Sequence, residues 1–190
     1  DMDRVQMDQV GPARLSEDLR ISFPGMVVLY PADMVLDRTH QIALSIIHDS
    51  LDERPVFFAS SGGMMSQLGL NRWGVRHGLA VKLEMRNLDA PPQEGWIQGS
   101  PEYGAEWYDV QASLELYQNV YEFRGIKSRP IWQDRSTLNI PWQYYAMTLQ
   151  LSDVARAAGV PEEEVSILED DAENFQIVAR GGARGTPGGS

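Results

Sequence analysis

Apolar positions fall into alternating runs near the start of the chain and into helical spacings towards its end. Leu19, Ile21 and Phe23 alternate with Arg20 and Ser22, the period-two pattern of a half-buried strand. Pro24-Gly25 has turn chemistry, and Met26 to Tyr30 reads as a second strand, so a hairpin is the simplest connection. The stretch Met34 to Ser60 is the centre of the domain. Asp37 comes directly after the apolar run Met34, Val35, Leu36, where its carboxylate can accept from the free amides of a first helical turn. Ala43, Ile46, Ile47 and Leu51 then recur at helical spacing, with Ile42 widening the stripe. Pro55 disfavours helical geometry at Arg54, which ends that helix near Leu51 or Asp52. Val56 to Ala59 is apolar without alternation, predicting a strand covered on both faces, and Ser60-Ser61-Gly62-Gly63 breaks it.

Between Met64 and Gly78 a Met-rich stretch interrupted by glycines predicts a short helix or coil lying on the sheet. Leu79, Val81, Leu83 and Met85 alternate again as a half-buried strand. Asn87 to Gly104, with Pro91-Pro92, Gly95, Gly99 and Pro101, reads as a loop longer than connections usually need, hence a candidate functional or partner-bound segment. Asp109 to Phe123 predicts a helix with Val110, Leu114, Tyr117, Val120 and Tyr121 on one face and Gly125 as its stop. Thr137 to Ala158 predicts a longer helix, with Leu138, Trp142, Tyr145, Leu149 and Val154 among its apolar positions. Pro141 is tolerable only near the first turn, so regular helix starts close to Ile140. Gly159 ends it, and Pro161 opens a last helix whose Glu162, Glu163 and Glu164 suit the positive end of the helix dipole.

The expected fold is α+β: a mixed sheet of four to five strands with packed helices, then a C-terminal helical segment. Residues 1–18 read as an N-terminal arm and 19–159 as the globular domain. Residues 160–180 read as a terminal helix and 181–190 as a glycine-rich linker.

Charge narrows the partners. The formal net charge is −11 and the isoelectric point about 4.6, so counterion release gives such a surface no purchase on nucleic acid. No apolar run reaches the roughly 18 residues of a membrane span. Without cysteine there is no disulfide, thiolate metal site or cysteine nucleophile. The chain begins at Asp1 with no signal-peptide pattern, as a processed or detached piece of a longer product would.

Candidate chemistry is sparse. His40 and His48 lie about two helical turns apart, roughly 12 Å along the axis, too far for one metal ion. Nothing nearby completes a site around His40 with Asp37 or His48 with Asp52, and His77 stands alone. Ser60 to Gly63 follows a strand but lacks the Gly-Lys-Ser/Thr ending of a phosphate loop. Glu169-Asp170-Asp171 lacks the alternating spacing and glycine of a calcium loop, and the acids of residues 161–173 read as a solvated helix face. Glu102 and Glu106 carry no context that marks an acid/base pair. No catalytic, cofactor or metal residue is assigned. Aromatic residues are more suggestive: Trp96, Tyr103, Trp107 and Tyr108 lie in or beside the long loop, with Trp132 and Trp142 further on. They either cover the sheet and helix ends or form a partner surface or sugar platform, since Trp and Tyr are enriched at binding hot spots. Trp96, Tyr103, Trp107 and Tyr108, with Arg180 and Arg184 near the C-terminus, are the partner-binding candidates.

Four blocks in order carry a family resemblance. They are Leu36–Ala59 (LDRTHQIALSIIHDSLDERPVFFA), Leu68–Leu83 (LGLNRWGVRHGLAVKL), Asn119–Ile126 (NVYEFRGI) and Ile140–Gly159 (IPWQYYAMTLQLSDVARAAG). Together they resemble the soluble region that follows the membrane helices in the DUF2723 family of bacterial proteins, related to a eukaryotic membrane O-mannosyltransferase with a GT-C-type membrane part. The resemblance spans roughly Leu19 to Gly159 and implies an extracytoplasmic domain without transferase activity of its own. The family's catalytic acid and lipid-donor site belong to a membrane portion that these residues do not contain. The leading expectation is a non-enzymatic periplasmic accessory subunit docked on a membrane-embedded complex, a photosynthetic reaction centre with its light-harvesting antenna being one guess among several. The alternative is the acceptor- or glycan-recognition domain of a membrane glycosyltransferase.

Overall fold

The computed structural model describes residues 11–59, 63–86, 95–99, 107–123, 125–128 and 136–180. Helices and strands combine as an α+β fold, with a mixed sheet of five strands and two long C-terminal helices. The described residues fall into two compact units. Those within Asp1–Val75 and Val81–Ala90 form the first; those within Arg76–Ala80, Pro91–Gly99 and Trp107–Ser190 form the second.

In the first unit, β1 (Ala13–Arg14) pairs antiparallel with β4 (Val35–Leu36), and the Leu15 amide donates to the Met34 carbonyl at 2.9 Å. The last residues of the expected arm are therefore held against the body of the unit. β2 (Leu19–Phe23) and β3 (Met26–Tyr30) form the expected hairpin, in register from Leu19↔Tyr30 to Phe23↔Met26. At its turn Gly25 has φ 69°, and a side chain there would collide with the Met85 carbonyl, so the position demands glycine twice over. Met26, Val28 and Tyr30 point into the core, while Val27 and Leu29 face outward.

Asp37 caps α1 (Arg38–Ser50) as expected. Its Oδ1 accepts the His40 amide at 2.9 Å, and the Asp37 amide donates back to His40 Nδ1 at 3.3 Å. This is a reciprocal capping box with histidine in the place where glutamate or glutamine is usual. The helix ends at Leu51, as Pro55 requires. Its buried stripe is rotated from the expected one: Leu44, Ile47 and Leu51, at i, i+3 and i+7, enter the core, and Ile46 is 52% exposed. β5 (Phe57–Ala59) departs further. It lies at one end of the sheet order β5–β7–β6–β9–β8, so an edge strand replaces the doubly covered one, and Phe57 is half exposed. α2 (Met64–Gln67) and a 3₁₀ turn (Asn71–Trp73) are the expected short helical pieces. β6 (Gly74–His77) stands where short helix or coil was expected, and β7 (Ala80–Leu83) realises the alternating run with Val81 and Leu83 inward.

In the second unit, β8 (Trp96–Gln98) pairs antiparallel with β9 (Trp107–Asp109). A strand thus stands inside the stretch expected to be loop; residues 87–94 and 100–104 of that stretch lie outside the described residues. Asp109 caps α3 (Val110–Glu115), which passes into a π turn (Leu116–Val120) instead of running on to Phe123. The Tyr121 amide reaches the Leu116 carbonyl at 2.9 Å, and the wider turn leaves Val120 58% exposed while Tyr117 stays buried. α4 (Asn139–Ala157) carries Pro141 as its third residue, inside the turn whose amides need no helical partner.

At the end of α4, Gly159 adopts φ 79°. Its amide bonds the Arg156 carbonyl and the Val160 amide bonds that of Ala155, a Schellman closure. α5 (Glu162–Ala179) starts one residue later than expected, with Pro161 as its N-cap. The two helices pack closely, Met147, Leu151 and Val154 facing Val165 and Leu168 within one apolar cluster. Within this unit, which includes residues 76–80, the β6–β7 turn is held by side chains. The Gly78 amide donates to Ser113 Oγ at 3.0 Å, and the Leu79 amide donates to Tyr121 Oη at 2.9 Å.

Candidate interaction surface

Three of the partner-binding candidates are interior. Trp96, Trp107 and Tyr108 are 7%, 6% and 1% exposed, and Tyr108 donates its hydroxyl to Gln150 on α4. The Arg76 guanidinium lies over the Tyr108 ring, 5.5 Å from its centroid. β8 and β9 turn these rings inward, so in this fold they cover the sheet and offer no surface to a partner. Arg180, just beyond α5, is exposed. Tyr103 and Arg184 lie outside the described residues, as do Trp132, Glu102, Glu106 and Ser60 to Gly62.

The histidines of α1 serve structure. His40 Nδ1 accepts from the Asp37 amide, and Nε2 meets Gln67 Oε1 at 3.1 Å, so the Nε2–H tautomer satisfies both contacts. His48 Nδ1 lies 3.2 Å from Asp49 Oδ1 on the surface. No group of three or more His, Asp or Glu side chains could hold a metal ion among the described residues.

Sequence reasoning missed a polar cluster joining three distant segments. Tyr117 donates its hydroxyl to Asp171, and Lys127 Nζ pairs with the same carboxylate at 2.5 Å. That ammonium also lies 4.7 Å from the ring centroid of Phe123 and 5.5 Å from that of Phe175. Burial, then the hydrogen bond to Asp171 and its charge, push the Tyr117 hydroxyl far above its ordinary value. Every charge here has its counterpart, so the cluster fastens α5 to the π turn and the 3₁₀ turn Ile126–Ser128. Nothing in the spacing of residues 117, 127 and 171 announces it. Most of the acidic run of α5 is exposed, as the solvated-face reading expects, with Glu164 and Asp171 half-buried. Glu162 and Glu169 hold Arg156 at 3.1 and 2.8 Å and raise its pKa, and Glu164 meets Gln118.

One apolar surface is left partly uncovered by the described residues. On α4, Met147, Leu151, Val154 and Ala155 form the buried side. Trp142, Tyr145 and Leu149, at i, i+3 and i+7, line another, where Trp142 and Leu149 are each 37% exposed. Trp142 meets Tyr145 edge-to-face at 5.4 Å, and Tyr145 Oη accepts from Gln176 of α5 at 2.9 Å, which fixes the ring. Apolar character on two sides of a helix marks a helix buried on both, yet the described residues cover only one. The sequence groups Trp142, Tyr145, Leu149 and Val154 as apolar positions; the structure divides them, sending Val154 inward. A two-sided pattern was the available signal.

Compared with known proteins, the chain matches no family model, no curated protein and no solved structure. Among the described residues no helix is long and apolar enough to cross a membrane.

Proposed function

We propose that this chain is a non-enzymatic accessory subunit that docks, on the periplasmic side, onto a membrane-embedded protein complex. A photosynthetic reaction centre with its light-harvesting antenna is one assembly of that kind. The observation that carries the reading is the outward stripe Trp142, Tyr145 and Leu149, a rigid aromatic surface of hot-spot composition on a helix already packed on its other side. The polar side chains support it too. The half-buried carboxylate of Asp171 is paired with Lys127 and accepts from Tyr117, and both ring nitrogens of His40 are engaged, by the Asp37 cap and by Gln67, so their contacts are structural. The periplasmic placement rests on the family resemblance.

The test is the composition of the native particle, by gentle membrane solubilisation and mass spectrometry of what co-purifies. Stoichiometric recovery with an intact membrane complex supports the subunit reading. Recovery only within a longer membrane polypeptide moves the reading to the recognition domain of a glycosyltransferase. Recovery as a soluble monomer sinks both.

A further inference from the structure

The charge along the α4–α5 hairpin is one-sided. From Asn139 to Arg180 the only bases are Arg156 and Arg180, against eight carboxylates. Arg156 is already claimed by Glu162 and Glu169, so it adds no positive surface. The contacts Arg156–Glu169 and Tyr145–Gln176 show which side of α5 borders the stripe. Glu173 lies about one turn before Gln176 on that same side and is exposed. Asp153, one turn beyond Leu149 on α4, is exposed as well. An aromatic and aliphatic strip is thus bordered by carboxylates on α5 and at its C-terminal end.

We infer that this face of the α4–α5 hairpin binds a basic amphipathic helix of a partner protein. The inference rests on the docking reading and specifies its chemistry. Trp142 and Leu149 are seven residues apart, roughly 10.5 Å along the axis, so two apolar anchors of the incoming helix set about two turns apart meet both. Lys or Arg flanking those anchors reaches Glu173 and Asp153, where charge complementarity steers encounter and fixes orientation. An acidic helix is repelled by the same border, and so is an anionic lipid surface.

The decisive measurement uses the full chain with two synthetic amphipathic helices that share a leucine face, one carrying lysine and the other glutamate on the polar face. Binding is read by fluorescence anisotropy at low and physiological ionic strength, and folding of each variant by circular dichroism. The lysine helix binds and the glutamate helix does not. Trp142→Ala and Leu149→Ala each weaken binding about ten-fold or more without altering the circular dichroism. The double variant Asp153→Asn, Glu173→Gln weakens it less but flattens its salt dependence.

Equal binding of both helices, no binding of the lysine helix, or binding indifferent to Trp142→Ala overturns the inference. So does self-association of the chain that Trp142→Ala abolishes, which would make a second copy the occupant. The docking reading fails separately. If the wild-type chain co-purifies with a membrane complex and Trp142→Ala does so equally, the subunit reading stands and this face falls. If neither co-purifies, the peptide measurement alone decides the face.

Discussion

The two units differ in how their rings are used. In the first, Leu36, Leu44, Ile47, Leu51, Leu68 and Leu70 form a mostly aliphatic core with methionine filling its gaps and Phe23 and Trp73 among its members, and Tyr30 is the one buried phenol among its described residues, donating to the Leu68 carbonyl at 3.0 Å. In the second, rings meet rings. Phe123 lies 5.2 to 5.3 Å from Tyr117, Tyr144 and Phe175, and Tyr144 stacks on Phe175 at 5.4 Å. Tyr108, Tyr117 and Tyr121 each place a hydroxyl on a specific partner. Aliphatic burial is tolerant of detail; an aromatic and polar core fixes one arrangement and loses more when a single member is removed. The same contrast separates their helices. α1 is capped by a side chain and has one buried stripe, with polar residues over most of its remainder; α4 has no side-chain cap and carries apolar surface beyond what its own unit covers.

Matched truncations of buried side chains test the contrast most severely. Phe175→Ala is expected to cost about 3–5 kcal/mol, and Ile47→Ala about 2–5 kcal/mol, in urea unfolding. Beyond the cavity, Phe175→Ala removes a ring beneath Lys127, so near-ultraviolet circular dichroism of the second unit's tyrosines should change with it. An unchanged spectrum and equal costs would mean the ring cluster is no more specific than the aliphatic core. Tyr117→Phe comes next. It takes a donor from Asp171 while Lys127 remains, for a loss of about 1–3 kcal/mol.

Alkali separates the units by a different route. Burial pushes Tyr30 up to about 12, whereas the unfolded chain ionises it near its ordinary value of about 10. The folded state keeps a proton that the unfolded state releases. Tyr30 therefore contributes fully below about pH 10, and its contribution is lost as pH rises towards 12. Tyr30→Phe should remove that slope over the same window. Tyr117, raised for the same first cause, keeps its slope to higher pH. The smallest effect expected is on the stripe itself: Leu149→Gln should leave stability within about 0.5 kcal/mol of the parent. A loss of several kcal/mol would show that Leu149 belongs to the fold and not to a partner.

Local pattern made the first unit the more readable. The β2–β3 hairpin, the Asp37 cap, the end of α1 before Pro55 and the alternation of β7 all arise from neighbouring residues, and so do the limits of α4 and α5 set by Pro141, Gly159 and Pro161. What escaped was decided at a distance. β6, β8 and β9 are three or four residues long, too short for periodicity to register, and are strands because the sheet pairs them. The π turn after α3 is one residue wider than a regular helix, a change that carries no compositional mark. Phe57 reads as doubly covered in the sequence because an edge strand and a central one share the same apolar composition. For the candidate surface, the sequence pointed to aromatic residues of the β8–β9 region, where burial was decided by strand pairing. Trp96, Trp107 and Tyr108 are inside, and the exposed aromatic stripe comes from the longest helix.

Lys82 and Lys127 are the only lysines in the chain, and each is about one-third exposed and paired with a carboxylate, Glu84 at 2.6 Å and Asp171 at 2.5 Å. Amine-reactive reagents therefore meet few side-chain targets, each held in an ion pair, and a cross-linking map of any assembly built on such reagents would leave this chain nearly blank. Carbodiimide coupling through its acidic helices reads the same neighbourhood from the opposite side. A partner bearing lysines against α5 would then be the first one captured.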